Sequence, residues 1–287
     1  MNPMLNWMVQ AMKMAIVTNY KKSHAAFCTK ELAHRLRKLQ CEVHLTEYRY
    51  NIGADEKALM EKSDLIIAVG GDGTIIHTAK AAAEFHKPVL GVNAGKLGFT
   101  AGMESDELDL IDGLLQGDYE IQKRYMVTAE ILGEGRSRIY YALNDAVVAG
   151  MYSKIIRYEM AVAGKEDYRY RADGFIISTP TGSTAYSLSA GGPVIEPTMK
   201  CMTYTPICPH SLFNRSVIFD KDTALHVKID GESERVHLTV DGSTPIKISG
   251  REKLMFRTSS RYAQLIRLNK RNFYDVLYEK ILDESNG

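Results

Sequence analysis

The run Leu65-Ile66-Ile67-Ala68-Val69 leads without a break into Gly70-Gly71-Asp72-Gly73-Thr74, and that junction restricts the fold more than any other stretch of the chain. A short segment that is apolar at every position suits a strand buried on both faces, as in a parallel sheet covered by helices. Thr74 to Phe85 then reads as an Ala-rich helix, ended by Pro88 before a further strand over Val89 to Val92. Upstream, Met14 to Thr18 reads as a strand, Phe27 to Leu39 as a helix and Val43 to Leu45 as a strand. Downstream, Asp106 to Leu115 has helical spacing, with Ser105 as its cap and Gly117 just past its end. Alternation of this kind predicts a parallel sheet with helices on its faces.

The pattern changes after Tyr119. Strands are expected over Met126 to Leu132, Arg138 to Ala142, Ala146 to Val148, Tyr158 to Val162 and Phe175 to Ser178. More follow over Ala224 to Ile229, Val236 to Val240, Pro245 to Ile248 and Leu254 to Arg257, punctuated by glycines as in a sandwich-like all-β domain. Phe273 to Leu282 returns to helical spacing and is expected to pack back on the first domain. The expected organisation is an α/β domain over 1–122, joined by a C-terminal helix over 268–287, and a β-rich domain over 123–267.

Bulk properties exclude several classes. The 287 residues are 45% apolar and 25% charged, as in a globular protein with a real core. Lys and Arg total 36 against 35 for Asp and Glu, so no global charge points to nucleic acid or an acidic membrane surface. No apolar stretch is long enough to span a bilayer. Met1 to Met12 lacks a basic segment and a small-residue cleavage site, so no secretory signal is expected there. Cys28, Cys41, Cys201 and Cys208 have neither zinc-ribbon nor disulfide-scaffold spacing, and free thiols fit a cytoplasmic protein.

The glycine-flanked Asp72 lies where open α/β sheets bind ligands, after the carboxyl end of a strand and before a helix. The helix N-terminus favours phosphate, yet a carboxylate there would repel one. A metal ion or a substrate hydroxyl between the two resolves the conflict, and both belong to kinase chemistry. The plainer reading is a tight turn in which Asp72 caps the helix. The run is neither a Walker loop nor a Gly-x-Gly-x-x-Gly fingerprint.

Three further stretches add to it: Gly91-Val92-Asn93-Ala94-Gly95-Lys96-Leu97-Gly98-Phe99, Leu143-Asn144-Asp145, and the hydroxyl- and glycine-rich run from Asp173 to Pro193. An amide and a carboxylate can hold ribose hydroxyls and adenine edges, while hydroxyls and backbone N–H groups can satisfy pyrophosphate oxygens. Tyr186 fits a base-stacking role or a buried structural one equally well.

Together these stretches resemble the NAD kinase family from the strand before Gly70 to near Gly242. Pro206-Ile207-Cys208-Pro209-His210-Ser211-Leu212 and Val240-Asp241-Gly242 are also similar to family segments. The resemblance implies an N-terminal α/β domain, a C-terminal β-rich domain with the substrate between them, and ATP- and Mg2+-dependent phosphorylation of the adenosine-ribose 2′-hydroxyl of NAD. It implies Asp72 as the group that accepts the ribose proton, with Gly73 approaching the substrate and His77 and Phe99 on the substrate side. Asn144 and Asp145 would bind adenine or ribose, and Arg171 and Asp173 would lie toward the nicotinamide end. Thr181, Thr184, Ala185, Tyr186 and Ser189 would line the adenine and phosphate side. A homodimer or homotetramer is also implied.

The chain departs from the common family pattern at His77, Ala94, Lys96, Thr100, Phe213 and Ser243. None of these is expected to touch Asp72. The competing functions are a lipid kinase of the diacylglycerol or sphingosine type, which shares the glycine–aspartate turn, and a non-catalytic NAD(P)-binding regulator.

Overall fold

A computed structural model describes residues 11–50, 52–95, 97–133, 135–165, 167–210, 214–230 and 236–285. The N-terminal segment to Gln10, Lys96, Ser211, Leu212 and Phe213, all named above, lie outside the described residues. The chain divides into two compact units: Met1–Ile121 with Leu265–Lys270, and Gln122–Gln264 with Arg271–Gly287.

The first unit begins with β1 (Lys13–Thr18), α1 (Ala25–Lys38), β2 (Glu42–Glu47), α2 (Ala54–Lys62), β3 (Leu65–Gly70), α3 (Asp72–Ala82) and β4 (Pro88–Asn93). A short β5 (Met103–Glu104) and α4 (Ile111–Gln116) complete it. The strands lie in the order β2-β1-β3-β4 and are parallel, with β5 parallel to β4. Every residue of β3 is buried, as its unbroken apolar run requires. On one face Met14, Ile16, Ile67, Val69, Leu90 and Val92 pack with Leu32 and Leu36 of α1 and with Ile111 and Leu114 of α4.

The strand order reverses between β1 and β3, which is where open sheets of this type form a crevice at their carboxyl ends. Asn19, just past β1, spans that point. Its amide N–H donates to the Val69 carbonyl at 2.9 Å, and its side-chain amide donates to the Thr74 hydroxyl at 3.0 Å.

Two elements differ from expectation. The helix read from Asp106 is a 3-10 turn over Leu108–Leu110 followed by α4, so Ser105 is not its cap, while Gly117 does end it in the left-handed region. Helix α2 carries no apolar stripe: Met60 is its buried residue, which leaves the sequence no periodic signal.

The second unit contains β6 (Glu120–Gly133), β7 (Arg136–Ala142), β8 (Asp145–Gly150), β9 (Ile156–Val162), β10 (Asp167–Ala172) and β11 (Gly174–Ser178). Then come α5 (Tyr186–Ser189), β12 (Cys201–Ile207), β13 (Val217–Asp220), β14 (Ala224–Ile229), β15 (Val236–Val240), β16 (Ile246–Ile248), β17 (Lys253–Arg267) and α6 (Phe273–Ser285). One antiparallel layer runs β10-β9-β14-β17, with β6 and β7 attached; the other runs β13-β12-β11-β8-β15-β16. Val127, Tyr158, Phe175, Tyr204, Leu238 and Phe256 share one core, so the layers form the sandwich-like arrangement expected. A hydrogen bond of 2.7 Å between the Tyr158 and Tyr204 hydroxyls ties β9 to β12 inside that core.

β17 starts in the second unit and ends in the first, and the contacts of α6 group it with the second unit rather than with the first as expected. Only Leu265–Lys270 of this C-terminal stretch groups with the first unit. All four cysteines are free, and burial raises the thiol pKa of Cys28, Cys41 and Cys201. Among the described residues no helix is long and apolar enough to cross a membrane.

Candidate active site

In the first unit the site is built on the turn between β3 and α3. Gly71 precedes the helix in extended conformation, and Asp72 is its first residue, an acidic group beside the positive end of the helix. The capping role weighed from the sequence is not the one the side chain takes, since the cap position falls to Gly71 and Asp72 is the first helical residue. The carboxylate instead accepts hydrogen bonds from the loop after β4. The Phe99 amide donates to Oδ2 at 3.2 Å, and the Thr100 amide and hydroxyl donate to Oδ1 at 3.1 and 2.6 Å.

The two glycine-rich loops are thus one structure. The Ala94 amide donates to the Gly70 carbonyl at 2.9 Å, continuing the β3–β4 register into the turn. A Cβ at Gly98 would stand 2.4 Å from Asp72 Oδ1, so only glycine lets the second loop close this tightly on the carboxylate. A Cβ at Gly71 or Gly73 would meet nothing within 4 Å, so the backbone on either side of Asp72 is uncrowded. This corrects the expectation that no departure from the family pattern touches Asp72: Thr100 does so twice. Its contact arises from a loop closure that spacing alone does not reveal.

His77, further along α3, is already engaged. Its Nδ1 lies 2.8 Å from the Tyr48 hydroxyl, and Tyr50 packs edge-on against its ring at 4.5 Å between centroids. Phe99 is brought to Asp72 through its backbone, with its side chain partly buried.

In the second unit, Asn144 and Asp145 sit where β8 begins, and a residue not singled out from the sequence for a role organises them. Asp241 accepts hydrogen bonds from the amides of Leu143, Asn144 and Asp145 at 3.0, 2.7 and 3.1 Å. It does so from a left-handed backbone with φ of 47°, a conformation that Asp tolerates better than most residues. From the other side, Thr179 donates its hydroxyl to the Leu143 carbonyl at 2.6 Å and its amide to the Asn144 carbonyl at 2.9 Å. A Cβ at Gly182 would fall 2.0 Å from that Asn144 carbonyl, so the turn carrying Thr181 and Thr184 packs directly on the Asn144 backbone.

The hydroxyls of this turn largely fold the turn itself. Ser183 bonds to the Pro180 carbonyl and the Ile195 amide, Ser187 to Thr205, and Thr184 to the Thr181 carbonyl. The Thr181 hydroxyl is buried without a hydrogen-bond partner. Ala185 is partly buried and Ser189 exposed. Tyr186 is 48% exposed, which removes the buried structural reading and leaves its ring available.

Arg171 and Asp173 flank the junction of β10 and β11. The Asp173 backbone is held by the Ile207 carbonyl and the Gly150 amide, and the Arg171 carbonyl by the His210 amide. The Arg171 side chain faces a cavity of about 580 Å³ also lined by Arg157, Arg169, His210, Lys228 and Asp230; Asp173 does not line it.

Comparison with known proteins follows these two halves. The family model described as ATP-NAD kinase N-terminal domain matches residues 14–119, and that described as ATP-NAD kinase C-terminal domain matches residues 143–268. The NAD kinase of Thermoanaerobacter sp. (strain X514) is 37% identical over 280 residues, covering 94% of this chain and 99% of its own. That of Symbiobacterium thermophilum is 39% identical over 278 residues, covering 94% and 98%. A crystal structure of an NAD kinase from Archaeoglobus fulgidus in complex with ATP superposes with a TM-score of 0.75 at 26% identity, covering 94% of this chain and 98% of that one. Yeast NADH kinase complexed with NADH has the same fold, with a TM-score of 0.83 at 22% identity over 95% of this chain and 88% of that one.

Proposed function

The chain belongs to the NAD kinase family, and from that premise we propose that it transfers the γ-phosphoryl group of ATP to the 2′-hydroxyl of the adenosine ribose of NAD, giving NADP. The observation that carries the chemistry is the Asp72 carboxylate, fixed by three hydrogen bonds and flanked by two glycines with open space around them. It orients the acceptor hydroxyl and takes its proton. In a loose phosphoryl-transfer transition state, placing that hydroxyl matters more than the strength of the base.

The remaining roles follow from chemistry. Gly73 exposes backbone beside Asp72 for close approach, and His77 and Phe99 are assigned to the substrate as well. Asn144 and Asp145 hold adenine or ribose groups from a backbone that Asp241 and Thr179 keep rigid. Thr181, Thr184, Ala185, Tyr186 and Ser189 line the adenine and phosphate side, where the exposed Tyr186 ring is suited to stacking. Arg171 and Asp173 take the nicotinamide end.

Mg2+ supplies charge neutralisation on the donor phosphates and needs few protein carboxylates. Among the described residues no group of three or more His, Cys, Asp or Glu side chains could hold a metal ion. Asp72 is the carboxylate within residues 70–74 and 93–100 on which an ion carried by the nucleotide could rest. We further propose a homo-oligomer working in the cytoplasm.

Purified protein given NAD, ATP and Mg2+ should form NADP. Binding of NAD with no NADP formed from any phosphoryl donor would favour the regulator. Phosphorylation of diacylglycerol in place of NAD would favour the lipid kinase.

A further inference from the structure

The two oxygens of Asp72 are held unequally. Oδ1 receives both Thr100 donors, at 3.1 and 2.6 Å, whereas among the described residues Oδ2 receives only the Phe99 amide at 3.2 Å. Each carboxylate oxygen offers about two acceptor sites, so Oδ1 is filled and Oδ2 keeps one free. The hydroxyl contact is the shortest of the three and is charge-assisted. Thr100 is itself only 6% exposed, and its branched side chain has few rotamers to choose from. The pin is therefore shielded and stiff. Gly98 supplies the close approach that it requires.

We propose that Thr100 is a positioning residue for phosphoryl transfer: by saturating Oδ1 it fixes the carboxylate plane and leaves Oδ2 as the oxygen that meets the acceptor hydroxyl. This rests on the reading of Asp72 as the reacting carboxylate. With a loose transition state, placing the acceptor hydroxyl dominates, so removing the Thr100 hydroxyl slows turnover.

Thr100→Val keeps the side-chain shape and deletes the hydroxyl; Thr100→Ser keeps the hydroxyl. For Thr100→Val, kcat should fall about tenfold or more, the size expected for losing one hydrogen bond to a charged group, while KM for NAD stays within about twofold. Thr100→Ser should recover most of the loss. Wild-type kcat in Thr100→Val, or a Thr100→Ser variant as slow as Thr100→Val, overturns the proposal. Crystal structures of both variants give a readout that does not depend on activity. The Asp72 carboxylate should rotate in Thr100→Val and stay in place in Thr100→Ser, and an unmoved carboxylate in Thr100→Val also overturns it. If wild-type protein makes no NADP, the kinase reading fails, and the crystallographic pair still decides whether Thr100 holds Asp72.

Discussion

Asp72 in the first unit and Asp241 in the second are carboxylates that solve the same local problem and end in different roles. Each accepts three hydrogen bonds from a loop distant in sequence. Asp241 is 8% exposed and spends its bonds on three successive amides, fixing the backbone from which Asn144 and Asp145 project. Asp72 is partly buried and takes all three donors from one loop, while Gly71 and Gly73 beside it carry no side chain to crowd a ligand. A carboxylate enclosed by N–H groups works as structure; one held from a single flank is preorganised for chemistry.

The largest expected difference is in stability. Asp241→Ala leaves three amides without their acceptor and should lower unfolding free energy by about 3 kcal/mol, read as a drop in denaturation midpoint. Asp72→Ala, which removes a carboxylate from a partly buried turn, should change it by less, about 1 kcal/mol. Equal losses would erase the distinction. Gly98→Ala sharpens it further: the new methyl can be accommodated by moving the Asp72 side chain, so melting should hardly change while turnover falls about tenfold or more. Unchanged turnover would mean that the position of Asp72 is not critical.

Asp173→Ala should raise the dissociation constant for NAD about tenfold, or about 1.4 kcal/mol, with a smaller effect on saturating turnover. The reverse split would place Asp173 in the chemistry. The smallest effect concerns the second-unit core, where burial raises the Tyr204 pKa to about 12 and that of Tyr158 further still. Because an unfolded tyrosine ionises near pH 10, the folded state binds more protons above that pH. The stability these hydroxyls confer is complete below about pH 10 and declines as pH rises through about 12. Tyr158→Phe should flatten that alkaline decline and cost about 1 kcal/mol at neutral pH; an identical alkaline profile would contradict the pairing.

Legibility from the sequence follows the range of the interactions. β3 and its turn were readable because an unbroken apolar run and adjacent glycines are local signals. β10 alternates Tyr with Arg, and β12 contains Pro206 among hydroxyl residues, so neither resembled a core strand. Pro206 is tolerated because pairing with β13 stops at Tyr204, leaving no neighbour on that side for the missing N–H. The partners of Asp72 and Asp241 lie 27–28 and 96–98 residues away, so the Thr100 pin and the Asp241 cradle have no signature in spacing. Composition does not announce that the turn of the Ser/Thr-rich run packs on the Asn144 backbone, or that Thr179, Ser183 and Thr184 spend their hydroxyls on the turn's own backbone.

The most direct test of the account is single-turnover NADP formation by Asp72→Asn at saturating NAD and ATP, with NAD binding measured on the same preparation. The account predicts NAD affinity within about tenfold of wild type and NADP formation slower by roughly a thousandfold or more. Wild-type turnover in that variant would contradict it.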